Sequence, residues 1–220
     1  MVAGLTSAVG QAGDAQQSAP RGRRRNPRGQ GDRLRTELLD AAASMVAADG
    51  NARGLSLSSV ARSVGIAATS VYLHFSDIEE LKHELVDRGY GEMNSRRAAA
   101  TAGITDPGAV VLARWRNYAH FAIDNPGVYR LMFGSELPPA KAFDRPDSPG
   151  RQAFMDSVQS IARVQQAGRV TAADDPFRLT TLVWAAVHGL VALRMDRPNF
   201  PWADLDAMVD ETLRRLLLIS

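Results

Sequence analysis

Thr69 and Ser70 stand side by side behind two alanines, Ala67 and Ala68, where a short helix would begin. A hydroxyl exchanges hydrogen bonds with a base edge, and an alanine methyl packs on a thymine methyl, so the four together could touch the floor of a DNA major groove. All are small and uncharged. With no Arg or Gln among them to form a bidentate pair with guanine or adenine, direct readout should be modest and DNA shape should carry more of the selectivity. Ser58 and the amides near Ser59, at the start of the preceding helix, suit phosphate oxygens. Upstream, Arg23, Arg24, Arg25 and Arg28 lie in the run RGRRRNPRGQG. They could follow phosphates or enter a minor groove, or form a solvated tail that aids solubility.

Catalytic patterns are weak by comparison. Glu80-x-x-His83 has the spacing of a di-iron ligand pair, but such a site needs a second copy and two more glutamates on facing helices, and none is evident. There is no Gly-x-Ser-x-Gly elbow, Gly-rich phosphate loop, zinc-binding His pair or cysteine cluster. The sequence predicts no enzyme, no cofactor and no metal. The absence of cysteine also rules out disulfides and is compatible with a reducing compartment.

The elements that must hold these side chains are punctuated in the stretch from Leu55 to Leu81. Ser56 suits the cap of a short helix on which Val60, Ala61 and Val64 share a face. Gly65 follows where the chain reverses, since glycine takes positive φ without a Cβ clash. Ile66 and Val71 would then pack back toward Val60 and Ala61, leaving 67–70 at the exposed end of a second helix. After Phe75, Ser76 or Asp77 can cap a third helix, whose positive end suits Asp77, Glu79 and Glu80. This is the pattern of a helix-turn-helix, whose second helix presents its N-terminal residues to the major groove.

Leu55-Ser56, Val60-Ala61, Val64-Gly65-Ile66, Val71-Tyr72, His74-Phe75 and the acidic pair before Leu81 fall in the register of the tetracycline-repressor (TetR/AcrR) family, which this stretch resembles together with the preceding helix from Arg33 to Ala48. The resemblance implies that Tyr72 and His74 donate to the DNA backbone, with packing as the other reading of Tyr72. Family members commonly carry lysine where this chain has Ile78, so one phosphate contact is in doubt. The resemblance also implies a small-molecule pocket in the C-terminal region, where Trp115, Tyr118, Phe121, Tyr129, Met132, Phe133, Phe154, Trp184 and His188 are the candidate wall. WAAVHG, Trp184 to Gly189, is similar to the Trp-x-x-x-His-Gly motif of one C-terminal type in the family. Core packing is the alternative for each aromatic, and a core or interface role for His188. The family pairs its last two long helices with those of a second subunit, which implies a homodimer here; own-core packing is the alternative.

Charge and composition support this division. The formal charge is +2, yet the first 35 residues hold seven arginines against Asp14 and Asp32, a net of +5, leaving −3 elsewhere. Positive charge beside the reader predicts double-stranded DNA as partner. Residues 1–31 lack the apolar surface to offset ordering entropy and are expected to be a disordered basic arm. Residues 32–76 then form the DNA-binding unit and 77–220 a helical ligand-binding and dimerisation unit. At 45% hydrophobic content the chain can bury a sizeable core.

Beyond Asp106 the sequence is helical by pattern, with Pro or Gly at each break: a helix from Pro107 to Asn125, a short one from Pro126 to Phe133, a loop from Glu136 to Pro149, then helices to Gly168, from Asp174 to Asp196, and from near Asp204. The expectation is an all-α fold of about nine helices: a three-helix reader plus a helical bundle. No apolar run reaches about 18 residues, the best being Leu182 to Leu193, and MVAGLTSAVG lacks the basic start of a secretory leader. A cytoplasmic regulator without a membrane partner is therefore expected, probing a near-palindromic operator as a repressor that an unidentified small-molecule effector releases. The rival expectation is a helical ligand-binding or interaction protein without sequence-specific DNA binding.

Overall fold

Four of the helices start at the same signal, a polar residue followed by proline. Asp106-Pro107, Asn125-Pro126, Ser148-Pro149 and Asp175-Pro176 each place proline in the first turn, where its missing N–H costs nothing. Asp106, Ser148 and Asp175 also accept from the amides of Ala109, Arg151 and Arg178. The structure, a computed structural model, describes residues 30–134, 147–170 and 174–217. Among them are nine helices: α1 (Gln30–Asp49), α2 (Leu57–Val64), α3 (Ala68–Val71), α4 (Ile78–Thr101), α5 (Pro107–Asp124), α6 (Pro126–Phe133), α7 (Pro149–Gln166), α8 (Pro176–Asp196) and α9 (Leu205–Leu217). The fold is all-α, as expected. The basic arm, with Arg23, Arg24, Arg25 and Arg28, and most of the loop before Pro149 lie outside the described residues.

Leu38, Ala42 and Val46 of α1 are buried with Val60, Ala61, Val71 and Phe75, and this core continues into Leu81 and Leu85 of α4. Beyond it, α5 is the central post of the bundle, packed on α4, α6, α7, α8 and α9. An ion pair of Arg116 on α5 with the buried Asp210 ties α9 to that post. The stripe expected on α9 divides: Leu205, Val209, Leu213 and Leu217 are buried inside the subunit, while Met208, Thr212 and Leu216 are half-buried.

One reading from the sequence needs correction. α8 as a whole is 21 residues long and apolar enough by composition to cross a membrane, further than the run Leu182 to Leu193 suggested. One side of it, Leu179, Val183, Val187 and Val191, is buried, and the helix packs on α5, α7 and α9. A core helix meets the same compositional test as a membrane span.

Candidate functional site

The reader is held by local chemistry that the sequence announced. Ser56 Oγ accepts from the Ser59 amide at 3.1 Å while Ser59 Oγ accepts from the Ser56 amide at 3.0 Å, a reciprocal capping box. Gly65 ends α2 at φ 75° and ψ 27°, and the Ile66 amide donates back to the Ala61 carbonyl at 3.0 Å. α3 is short, but the chain keeps turning beyond it, with the His74 and Phe75 amides donating to Val71 O at 2.8 and 3.0 Å. Val71 and Phe75 thereby point inward. Ala67, Ala68 and Thr69 are exposed, Ser70 is half-buried, and Ser58 is exposed at the start of α2. Tyr72 is 58% exposed and His74 half-buried, so the structure brings all seven candidates onto the reader's surface or its margin. Leu73, which was not among the candidates, is 70% exposed beside them. Ile78, in contrast, packs on the core.

Two contacts fix the reader to α4 and α6. The Arg35 guanidinium lies 4.5 Å from the centre of the Phe75 ring and pairs with Glu84 and, at 3.3 Å, with Glu80. The Ser76 amide and hydroxyl hold the Glu80 carboxyl below its ordinary range. At the other end of α1, Arg130 of α6 donates to the Gly50 carbonyl at 2.9 Å. Gly127 of α6 lies so close that a Cβ there would come within 2.2 Å of the Val46 carbonyl oxygen. Only glycine allows that approach.

α6 also carries Tyr129 into a buried polar chain, with the Phe133 ring packed 4.7 Å from its own. Trp184 Nε1, which can only donate, meets Tyr118 Oη at 3.0 Å. Tyr118 Oη is 2.7 Å from Tyr129 Oη, which is 2.6 Å from His188 Nδ1. Burial pushes both tyrosine hydroxyls up and the His188 imidazole down. The indole donates to Tyr118, and Tyr118 Oη also lies 3.2 Å from His188 Nδ1, so the two hydroxyls and the imidazole form a closed triangle of hydrogen-bonding groups. Trp184 and His188 are one turn apart on α8, which is the physical content of the spacing noted in WAAVHG.

Beside this chain opens a cavity of about 60 Å³ that is continuous with solvent. Trp115, Tyr118, Phe133, Phe154 and Trp184 form its aromatic wall, while Tyr129 and His188, with Phe133 again, face a separate shallow groove. Phe121 does not join them: it is fully buried in the core, with Arg96 5.7 Å above its ring, and its place among the pocket candidates is corrected accordingly. The polar part of the cavity was missed from the sequence. Asn94 and Arg97 of α4, Arg114 and Asn117 of α5 and Ser157 of α7 line it. Arg97 pairs with Asp156 at 2.9 Å and Arg114 donates to Ser157 Oγ at 3.2 Å. Among the described residues, Arg114 Nε and Asn94 Oδ1 are buried side-chain atoms without a hydrogen-bond partner. Each such orphan costs about 1–3 kcal/mol. Burial and the neighbouring Arg97 charge push the Arg114 guanidinium down to about 10. No sequence pattern marks these residues, because they come from three helices and each looks like a surface position on its own. Among the described residues no group of His, Cys, Asp and Glu could hold a metal ion.

Comparison with known proteins places both halves of the chain. Residues 38–85 match the family profile described as bacterial regulatory proteins, tetR family, and residues 111–217 match the tetracyclin repressor-like C-terminal domain. An uncharacterized HTH-type transcriptional regulator of Haemophilus influenzae is 31% identical over 153 residues, which span 64% of this chain and 75% of that protein. A protein of unknown function from Rhodococcus superposes with a TM-score of 0.69 at 25% identity, covering 84% of this chain and 95% of the other. The TetR family transcription regulator PfmR of Thermus thermophilus does so with a TM-score of 0.62 at 16% identity, over 82% and 97% of the two chains.

Proposed function

Since this chain belongs to the TetR family of bacterial regulatory proteins and is a DNA-binding transcriptional regulator, we propose that it acts as a dimeric repressor, released from a near-palindromic operator by a small molecule taken into the cavity between α4 and α8. It works as a binding protein and not as an enzyme, in the cytoplasm, where its DNA lies.

The observation that carries this reading is the mechanical continuity of α6. One side of it touches α1 through Gly127 and Arg130, and the other sends Phe133 into the cavity and Tyr129 into the chain behind it. A ligand that favours a different position of α6 also favours a different position of the reader, and only such differential affinity moves the equilibrium. Thr69, Ser70, Ala67 and Ala68 read base edges, and Ser58, Tyr72 and His74 hold phosphates. The arginine arm adds phosphate contacts, so deleting residues 1–31 flattens the dependence of log affinity on log salt.

Dimerisation is supported by the outward face of α8. Leu182 and Leu193 are 44% and 58% exposed, Ala185 lies exposed between them, and a Cβ added to Gly189 would meet nothing within the subunit. A second copy covering this face through α8 and α9 sets two readers about 34 Å apart, one turn of the double helix.

A gel shift at physiological salt tests the whole reading, with the fragment upstream of the gene and random DNA as competitors. Preferential competition by the upstream fragment is the expected result. Equal competition removes the repressor and leaves a helical ligand-binding or interaction protein.

A further inference from the structure

Resting on the effector reading above, and deepening it, we infer that the cavity takes a carboxylic acid with an apolar body, its carboxylate on the Nε edge of Arg114 beside Arg97 and its body against Trp115, Phe154 and Trp184. Three observations lead there.

The first is charge. Arg97 and Arg114 bring two guanidinium groups to one wall, and the carboxylate paired with them, Asp156, is taken by Arg97 from the exposed side. One positive charge is left over at the cavity, which a single carboxylate neutralises. The second is geometry. Arg114 spends one nitrogen on Ser157, leaving its buried Nε with no protein acceptor among the described residues. The planar edge of a guanidinium meets a carboxylate through two parallel N–H···O bonds, so the unused donor sits on the side that such a ligand would take. The third is the rest of the lining. Apart from the two arginines, Asn94, Asn117 and Ser157, the wall is aromatic and aliphatic, and it opens to solvent on one side, so an apolar body can lie along it. Asn94 Oδ1 is an acceptor without a donor, so a ligand bearing a hydroxyl or N–H as well as its carboxylate would answer both orphans.

The test uses the full-length protein and two matched probe pairs, 4-phenylbutyrate with 4-phenylbutanamide and octanoate with octanamide. Binding is read by calorimetry and by quenching of the tryptophans, two of which line the cavity. In each pair the acid is expected to bind at least about tenfold tighter than the amide, the scale of one charge-assisted hydrogen bond. Arg114→Gln should bring acid and amide together, Arg97→Gln should narrow the gap, and Arg114→Lys should keep part of it. Should Arg114→Gln fail to fold, the Arg97→Gln and Arg114→Lys pair decides. Equal binding of acid and amide, an unchanged ratio in the variants, or no binding of either acid at millimolar concentration overturns the assignment. A gel shift with each probe keeps the two readings apart. Acid that binds through Arg114 without loosening DNA upholds the site and defeats its role as effector site. Release by the amides and not the acids overturns the carboxylate while leaving the regulator intact.

Discussion

Leu38, Val46, Val60, Val71 and Phe75 fill the reader's interior with hydrocarbon alone, whereas the bundle buries hydroxyls, an indole N–H, an imidazole and a guanidinium within a few ångströms of one another. Among the described residues, the buried ones that are polar or charged, Ser148, Ser160, Thr180 and Asp210, all lie in the bundle as well. An apolar core has one good packing and resists change, because each alternative opens a cavity or a clash. A buried polar chain is different: its groups must be partnered, but more than one set of partners can satisfy them. The reader is therefore built to hold a surface still and the bundle to respond, with α6 as the piece they share.

The largest expected effect tests whether the reader's core is a unit of its own. Phe75→Ala empties the space beneath Arg35 and should cost about 3–5 kcal/mol, enough to open the three-helix unit. Hydrogen exchange should speed up across α1 to α3 and stay slow in α5 and α8. If protection falls together in both regions, the two cores are one cooperative unit and the contrast drawn above is wrong. Gly127→Ala probes the shared piece more gently. The added Cβ must push the Val46 backbone away, at a cost of about 1–3 kcal/mol, and α6 should shift relative to α1. DNA affinity should fall more than thermal stability does. A variant as tight on DNA as the wild type shows that α6 does not set the reader's position.

The polar chain offers a test by pH. Burial lowers the His188 pKa below its ordinary 6.5, so the unfolded chain takes up the proton more readily than the folded one. The unfolded state then binds more protons, and stability rises with pH. It is fully present above about 6.5 and is lost as the pH falls from there toward the lower folded value, because the charged imidazole gives up hydration where it is buried. One proton limits the slope to about 1.4 kcal/mol per pH unit. Melting temperatures at pH 7.5 and 5.5 should separate more for the wild type than for His188→Gln. Equal separations would mean that His188 takes up its proton as readily in the folded chain as in the unfolded one.

How much of this could be read from the sequence follows the same division. Helix starts were legible wherever a capping side chain and a proline acted on the next three residues, and the turn at Gly65 because positive φ selects glycine whatever lies around it. Ser56, Val60, Val71 and Phe75 sit where periodicity places them. The aromatic wall was legible as a group, since resemblance named the region and aromatic side chains are large. Phe121 was misassigned because periodicity shows that a residue faces inward, not whether that interior is filled or hollow. Arg97 and Arg114 left no sequence signal: arginine on an amphipathic helix ordinarily means solvent, and only the crossing of α4, α5 and α7 turns these two into a cavity wall. The close approach of Gly127 to Val46 depends on a contact between residues 81 positions apart, which no local pattern encodes.

The smallest expected effects are at the surface of the reader, and they decide how its rigid core is used. Thr69 is exposed at the start of α3 with a hydroxyl and a methyl, and Tyr72 stands a turn further on with its ring in solvent. Neither contributes to the core, so Thr69→Ala and Tyr72→Phe should leave the melting temperature within a degree or two. Their effects on DNA should differ in kind. Thr69→Ala removes a base-edge partner and should change the ranking of bound sequences by about 1 kcal/mol at one position of each half-site. Tyr72→Phe removes one phosphate bond and should weaken every sequence alike, because phosphates carry no base identity. Selection from a random DNA pool, run in parallel for both variants, reads the difference directly. A preference that shifts for Tyr72→Phe and stays fixed for Thr69→Ala would exchange the two roles, and would mean that α3 enters the groove by its far end, with Leu73 rather than Ala67 and Ala68 against the bases.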